Sequence, residues 1–336
     1  MKCTRLWIAH SDSVYAQRFM EYVNLNRNPL FRAQMCRDRQ QLEDVLREKQ
    51  ADLLLLDPQW YESCGELTGE ECIVLLSDGR LPGELGDFPA VYRYQSAERI
   101  LCDLMRHYAE KHQAEEEYVT GISRDNQVIG VYSPDGKQNL IFALTLGHIL
   151  AEHQNILYLN LEECSGFSEL FGSGSWNLSD LIYFLRQNKS NFFYRLTSMI
   201  RKMDRLQYVS PCEHYVDFCQ ISVEEWQQLI QLLRTQSSYE SVILELGNAT
   251  GHELDLLRQC DTIYVPMQGD LLSQAQIRQW QAHIRLLDGK DVLEKLRLLE
   301  LSETELRMER EEDLSLFLHG KLGQQIRFLL QEQENT

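Results

Sequence analysis

The chain has 336 residues, with 33 Lys and Arg against 51 Asp and Glu and a formal net charge of −18. This length favours two domains, each with its own core, and the acidic balance argues against a nucleic-acid-binding face and an anionic membrane partner. Nine scattered cysteines without a C-x-x-C pair, dispersed histidines and no apolar run of 18 residues indicate a cytoplasmic protein without structural zinc or an integral membrane segment.

The first 110 residues alternate short apolar runs with segments of helical spacing. Strands are predicted at 5–9, 53–56, 72–76 and 90–92, and helices at 13–25, 42–49 and 97–108. Strands that alternate with helices form a parallel sheet covered on both faces. Residues 1–110 are therefore expected to form a doubly wound α/β domain, with Asp57 at the carboxyl end of its strand, where such sheets place functional sites.

This layout resembles the receiver domain of response regulators, in which an aspartate at the position of Asp57 accepts a phosphoryl group. That family also uses an acidic pair after the first strand to hold Mg²⁺ and a lysine after the last strand. Here His-Ser-Asp at 10–12 leaves Asp12 as one acid, and Arg-Tyr-Gln at 93–95 contains no lysine. One carboxylate is a poor site for a hard cation, so a pseudo-receiver is expected. The alternatives are a phosphorylated Asp57 and an ordinary strand-end turn residue.

A charged segment at 111–126 is predicted to link this domain to a second α/β domain at 127–336. Strands are predicted at 128–132, 156–161, 207–209, 242–246 and 262–265, and helices at 140–153, 179–186, 223–235, 253–259 and 271–287. The tail at 322–330 has apolar residues but few basic ones. It is expected to be a docking helix, because membrane-surface helices carry a basic polar face.

The strand, loop and helix at 128–150, VIGVYSPDGKQNLIFALTLGHIL, form the setting in which a P-loop occurs. Nucleotide chemistry there needs glycines for close backbone approach, a lysine for the phosphates and Ser or Thr for Mg²⁺. The loop has one glycine, and no Ser or Thr follows before Thr145; it reads Ser133, Pro134, Asp135, Gly136, Lys137, Gln138 and Asn139. Asp135 would repel phosphate, and Lys137 is interpreted as a solvated loop lysine. The sequence predicts a degenerate nucleotide loop without hydrolysis; residual binding through backbone N–H groups is the alternative.

Three other strand ends resemble those of MinD/ParA ATPases. ILYLNLEE ends with Asn160 and Glu162, where that group has aspartates that position Mg²⁺ and water. VILELGN ends with Glu245 and Gly247, at the place of switch residues, and Pro266 is expected on the adenine side. Glutamate in place of aspartate lengthens the side chain by one methylene, which is enough to misplace a water. The resemblance implies a nucleotide site in outline with altered acids.

A larger pattern is more specific than these pieces. Six segments occur in order: YSPDG…FALTLG, YLNLEECSGF, NLSDLIYFLR, YVSPCEHYVDF, YESVILELG and CDTIYVPMQGDLLSQAQ. Together they resemble the TadZ/CpaE family of MinD-like proteins of Tad (Flp) pilus machinery, which place a receiver-like domain ahead of an ATPase-like domain. ATP-binding members carry a loop similar to S-P-x-G-G-x-G-K-T. Here Asp135 stands in the place of the signature lysine, and the loop is one residue shorter.

The resemblance implies a pseudo-ATPase that works without a cofactor, as a scaffold or localisation factor for Tad pilus assembly or secretion. The alternatives are a weak ATPase that binds ATP and Mg²⁺ through an atypical loop using Lys137, and a switch that responds at Asp57. Relatives pair through the nucleotide face. A homodimer through other surfaces, or a heterodimer with an active paralogue, is therefore expected, with recruitment to the membrane or the cell pole through partners.

Overall fold

The structure, a computed structural model, describes residues 4–25, 31–64, 72–79, 85, 88–111, 126–136, 138–187, 192–248, 251–301 and 314–334. The chain forms two compact units. Unit 1 is Met1–Thr120 together with Asn188–Ser198, and unit 2 is Gly121–Gln187 together with Met199–Thr336. Within the described ranges, no helix is long and apolar enough to cross a membrane.

Unit 1 is built on a five-stranded parallel sheet. Its first elements are β1 (Thr4–Ala9), α1 (Ser13–Leu25), β2 (Phe31–Met35), α2 (Arg39–Arg47), β3 (Leu53–Leu56), a 3-10 turn (Pro58–Cys64), β4 (Cys72–Ser77), β5 (Ala90–Tyr92) and α3 (Ala97–Lys111). The strand order is β2-β1-β3-β4-β5, and every pair is parallel. This is the order of flavodoxin-like doubly wound folds.

Strand β2 was not predicted, because its sequence is not an apolar run. Phe31 and Ala33 are buried, whereas Arg32 and Gln34 are exposed. An edge strand covered on one face alternates apolar and polar residues. The inner strands β3 and β4 are buried at every position, and their runs were visible in the sequence.

Unit 2 contains the remaining strands. Its elements, with one helix that belongs to unit 1, are β6 (Gln127–Val131), α4 (Asn139–Ala151), β7 (Ile156–Leu161), α5 (Phe167–Phe171), α6 (Leu178–Gln187), α7 (Phe192–Met199), β8 (Arg201–Met203), β9 (Leu206–Val209), α8 (Tyr215–Cys219), α9 (Val223–Gln236), β10 (Ser241–Leu246), α10 (Glu253–Gln259), β11 (Thr262–Gln268), α11 (Leu271–Leu286), α12 (Lys290–Lys295), β12 (Leu296–Leu301), α13 (Leu314–His319) and α14 (Lys321–Glu334). The sheet order is β12-β11-β6-β10-β7-β9-β8, parallel except where β8 meets β9. The predicted fold class, α/β with two doubly wound, largely parallel sheets, is confirmed.

Helix α4 lies in the middle of unit 2 and is apolar around almost its whole circumference. The sheet covers one side of it, and α13 and α14 pack against it as well. Leu322 and Ile326 of α14 are buried in the same core as Phe142 of α4, and Arg327 Nη2 donates to Glu152 Oε1 at 2.7 Å. The tail therefore docks onto unit 2 itself.

Helix α7 comes from the second half of the chain, but its first turn packs in the core of unit 1. Tyr194 hydrogen-bonds through its hydroxyl to Thr4 Oγ1 at 2.7 Å. Its ring lies 6.0 Å from the ring of Phe31 and 4.9 Å from that of Tyr108, centroid to centroid. Phe193 packs against the same apolar cluster. Unit 1 is therefore built from two separate stretches of the chain. A division of the sequence into consecutive domains does not include the second stretch in unit 1.

Candidate functional site

The candidate site lies at the carboxyl ends of three neighbouring strands of unit 2. Strand β10 lies between β6 and β7, and its Glu245 is level with Val131 of β6 and Asn160 of β7. From β6 the chain continues to β7 on one side of β6, and from β10 it continues to β11 on the other side of β6. The strand order therefore reverses at β6. Open parallel sheets bind ligands at such a reversal. The loops after these three strands are therefore brought together.

The loop after β6 makes one tight turn before α4. The Gly136 N–H donates to the Ser133 carbonyl at 3.0 Å, and Ser133 Oγ donates to Asp135 Oδ1 at 3.0 Å. Gly136 has a φ of 65°, a conformation that residues with a Cβ adopt only with strain. Pro134 and Asp135 are half-buried. Lys137, the residue on which the weak-ATPase alternative depends, lies outside the described residues.

Gln138 and Asn139 are buried where α4 begins. Asn139 has no exposed surface; its Nδ2 donates to the Leu246 carbonyl at 3.5 Å, and its amide lowers the pKa of the nearby Glu162 carboxyl group. Gln138 is 3% exposed, and neither polar atom of its amide has a hydrogen-bond partner. Buried amides without partners are rare in folded proteins. The start of α4 thus holds polar groups beyond those that the fold itself satisfies.

The Glu162 carboxyl group lies directly against the loop. A Cβ added to Gly136 would be 2.7 Å from Glu162 Oε1, closer than atoms in a packed interior approach each other. Gly247, after β10, makes similar room, because a Cβ there would lie 2.7 Å from Glu162 Cα. The two glycines predicted as nucleotide-site residues therefore both accommodate the segment that follows β7.

The half-buried Glu162 and the fully buried Glu245 form a pair of neighbouring carboxyl groups. Glu245 has no exposed surface; the Tyr158 hydroxyl donates to its Oε2, and Asn160 Nδ2 donates to the Tyr158 hydroxyl at 2.8 Å. Burial, and then the charge of Glu162, raises the pKa of Glu245 well above the ordinary carboxyl value, and burial also raises the pKa of Glu162. The two carboxyls are close enough for each to shift the pKa of the other. Glu162 Oε2 and Glu245 Oε1 are both buried without a hydrogen-bond partner, and a proton shared between the two carboxyls would satisfy both atoms.

Tyr158 and Glu163 belong to this site, although the sequence analysis did not name them. Tyr158 precedes Asn160 by two residues, so both side chains lie on the same face of β7. Glu163 Oε2 accepts the Asn248 N–H at 3.1 Å. The Tyr-x-Asn spacing was visible in the sequence. That Asn160 lies level with Glu245 depends on the strand register, which cannot be read from this spacing.

The site is acidic. Besides burial, the nearby carboxylates of Glu163 and Asp135 raise the pKa of Glu162, and burial followed by Glu163 contributes to the raised pKa of Glu253 on α10. Like charges this close repel a polyphosphate. In the part of the chain that the structure describes, no group of three acidic, His or Cys side chains is arranged to hold a metal ion. These residues do not fit a magnesium nucleotide.

Pro266 lies inside β11, buried, and level with Leu299 of β12. The ladder between β11 and β6 ends at Tyr264, whose carbonyl accepts the Tyr132 N–H at 3.1 Å. Backbone groups two residues apart in a strand point to the same side, so Pro266 presents its nitrogen where β6 has already ended. The missing N–H therefore costs the sheet no ladder bond. The place of Pro266 beside an adenine stays a prediction.

Asp57 follows β3 in unit 1 and is 6% exposed. The Ser11 N–H donates to Asp57 Oδ2 at 3.1 Å, as does the Ser11 hydroxyl, and the Gln59 N–H donates to Oδ1 at 3.0 Å. His10 Nε2 lies 3.9 Å from Oδ2. Burial by itself would raise the pKa of Asp57, but these hydrogen bonds and His10 outweigh it and lower the pKa. Both carboxylate oxygens already have donors.

Asp12, the other predicted acid of unit 1, caps a helix. Its Oδ1 accepts the N–H groups of Val14 and Tyr15 at 3.0 Å and 3.1 Å, which is the arrangement of an N-cap. Asp12 is exposed. The side chains that reach Asp57 from the loop after β1 are therefore those of Ser11 and His10, and not that of Asp12.

Neither the family models nor the curated proteins contain a match to this sequence. Among solved structures, the chain is similar to a ParA family ATPase from Chlorobium tepidum TLS, at 14% identity and a TM-score of 0.44, over 56% of this chain and 80% of that one. It is also similar to a plasmid partition protein from Borrelia burgdorferi, at 15% identity and a TM-score of 0.41, over 59% and 87%. For the MinD cell division protein of Aquifex aeolicus the values are 11% and 0.39, over 58% and 79%. Likenesses at this level assign neither a family nor an activity.

Proposed function

We propose that this chain is a non-catalytic relative of the MinD/ParA ATPases that works through protein contacts. The observation that carries the proposal is the Glu162 carboxyl against Gly136, in the loop where a nucleotide enzyme would need room for phosphate. Glu163, Asp135 and Glu253 add negative charge around the same loop. The chain has the reversal of strand order and the loop that suit ligand binding, but the side chains around the loop are negatively charged, as ATP is.

The pathway we propose is Tad (Flp) pilus assembly or secretion, with this chain as a scaffold or localisation factor. The support is the six ordered segments that resemble the TadZ/CpaE family. The partners are then pilus assembly proteins, together with a second copy of this chain or an active paralogue, which would recruit it to the membrane or the cell pole. Adjacent genes for a secretion ATPase and pilus platform proteins would support this pathway, and their absence would remove its main support.

Titration calorimetry with Mg-ATP tests the loss of nucleotide binding. Each charge-assisted hydrogen bond contributes about 1.5–3 kcal/mol. Loss of the P-loop lysine and of the Ser or Thr hydroxyl that holds Mg²⁺ therefore lowers the affinity for ATP by about 10²–10⁴-fold. We therefore expect no binding at micromolar ATP and no turnover. Micromolar binding, or phosphate release that Lys137→Ala abolishes, would establish the weak-ATPase alternative instead.

For unit 1 we propose a pseudo-receiver. Asp57 has its oxygens occupied by Ser11 and Gln59, and Asp12 is engaged as a helix cap. Incubation with acetyl phosphate and Mg²⁺ is therefore expected to leave the intact mass unchanged. A mass increase of one phosphoryl group, absent in Asp57→Asn, would show instead that unit 1 is a working receiver.

A further inference from the structure

The loop between β6 and α4 leads into the start of a 13-residue helix, a place that favours an anion, and the Glu162 carboxyl lies against this loop. We propose that the Glu162 carboxyl is the resident occupant of this loop and that it excludes a free phosphate group from it. Glu162 is then a specificity-determining, autoinhibitory residue. This inference rests on the proposed function and adds the residue responsible for it, together with the ligand class, phosphate or a terminal phosphoryl group, that its removal would admit.

The position of Glu162 is the first support. Helix α4 begins at Asn139 and runs for 13 residues, and the N–H groups at the start of such a helix favour a negative group. Glu162 Oε1 lies 2.7 Å from where a Cβ of Gly136 would be. The Asn139 amide is near enough to the same carboxyl group to lower its pKa. A carboxylate thus stands at the loop and at the helix start, where a bound phosphate would otherwise lie.

The second support is that Glu162 is held from behind. Glu245 is fully buried and close enough to Glu162 for the two carboxyls to shift each other's pKa, and Glu245 is itself fixed by the Tyr158 hydroxyl. Gly247 lacks the side chain that would collide with Glu162 Cα. A proton shared between the two carboxyls would give each of them a partner only while Glu162 stays beside Glu245. Glu162 is therefore a positioned group and not a surface side chain that moves freely.

The third support is the amide of Gln138. It is 3% exposed, and its Nε2 has no acceptor. A buried N–H donor without an acceptor is rare, and this one lies directly before α4. A phosphate bound at the start of α4 would bring acceptor oxygens to this part of the molecule, where the Gln138 amide lacks one.

The test measures phosphate binding when the occupant is removed. Glu162→Ala and Glu162→Ser are titrated with inorganic phosphate and then with ADP by calorimetry, after circular dichroism confirms folding. When a ligand can bind only after an internal competitor has left the site, its apparent affinity is the intrinsic affinity multiplied by the fraction of molecules in which the site is open. We therefore expect at least about tenfold tighter phosphate binding than in the wild type.

Glu169→Ala is the matched control, because it removes one glutamate and the same unit of charge at an exposed position of α5. It is expected to bind phosphate like the wild type. A folded Glu162→Ala or Glu162→Ser that binds phosphate no better than Glu169→Ala overturns the inference. The proposed function would fail separately, through Mg-ATP binding by the wild-type chain.

A second measurement needs no change at Glu162. Gly136→Ala is compared with Gly166→Ala, since both glycines have positive φ, 65° and 77°, but a Cβ at Gly166 meets nothing within 4 Å. Backbone strain is therefore similar in the two variants, and the collision with Glu162 occurs in one. We expect the larger loss of melting temperature in Gly136→Ala. Equal losses would show that Glu162 does not occupy the loop.

Discussion

Replacing Glu245 with glutamine is expected to make the protein more resistant to rising pH than the wild type. Glutamine keeps an oxygen for the Tyr158 hydroxyl and carries an N–H that donates permanently to Glu162. The wild-type Glu245 can donate to Glu162 only while it is protonated. Burial and the charge of Glu162 keep it protonated, because they raise its pKa well above the ordinary value of 4.5. Chemical denaturation of both proteins between pH 5 and pH 8 measures the effect.

The sign follows from proton linkage. Above the ordinary carboxyl pKa the unfolded chain releases the proton of Glu245 while the folded protein keeps it, so the free energy of unfolding falls as the pH rises, by up to about 1.4 kcal/mol per pH unit. This stability is complete below the unfolded pKa and is lost as the pH rises toward the folded pKa. Glu245→Gln removes that slope, whereas Glu169→Gln, at an exposed site, leaves it. Parallel pH profiles for wild type and Glu245→Gln would contradict the shared proton.

Gly247→Ala is expected to lower the free energy of unfolding by about 3 kcal/mol, at the upper end of the range for overpacking a well-packed site. The new methyl would lie 2.7 Å from Glu162 Cα and 3.1 Å from Glu162 Cγ. A backbone atom cannot rotate out of the way, so β10 and the segment after β7 must separate. Urea denaturation monitored by circular dichroism gives the change.

Gly251→Ala is the control, because Gly251 follows the same strand and a Cβ there meets nothing within 4 Å. Its φ of 66° adds strain of about 1–2 kcal/mol, which Gly247→Ala does not share. The collision should nevertheless outweigh the strain. A smaller loss of stability in Gly247→Ala than in Gly251→Ala would mean that Glu162 does not pack as described.

The inner strands and long helices were predictable because burial on both faces leaves a continuous apolar run, as in β3 and β7, and one-sided burial leaves helical spacing, as in α9. Edge strands were less predictable: the strand at 90–92 was predicted and is β5, whereas β2, β8 and β12 were not predicted. Strand β2 alternates polar and apolar residues, and β12, LRLLEL, is mostly exposed or half-exposed. Short helices such as α5 and α8 have five residues each, too few to show a period.

At the candidate site, residue types and order along the chain were enough to predict a loop without the Gly-Lys-Thr sequence of a nucleotide enzyme, since that is a question of which side chains are present. Which groups face one another is a different matter. Strand register sets Glu245 level with Asn160, the Glu162 carboxyl reaches Gly136 across the ends of the sheet, and α7 enters the core of unit 1. These contacts join residues far apart in the chain, and the geometry between such residues depends on how the strands pair and pack, which no local pattern encodes.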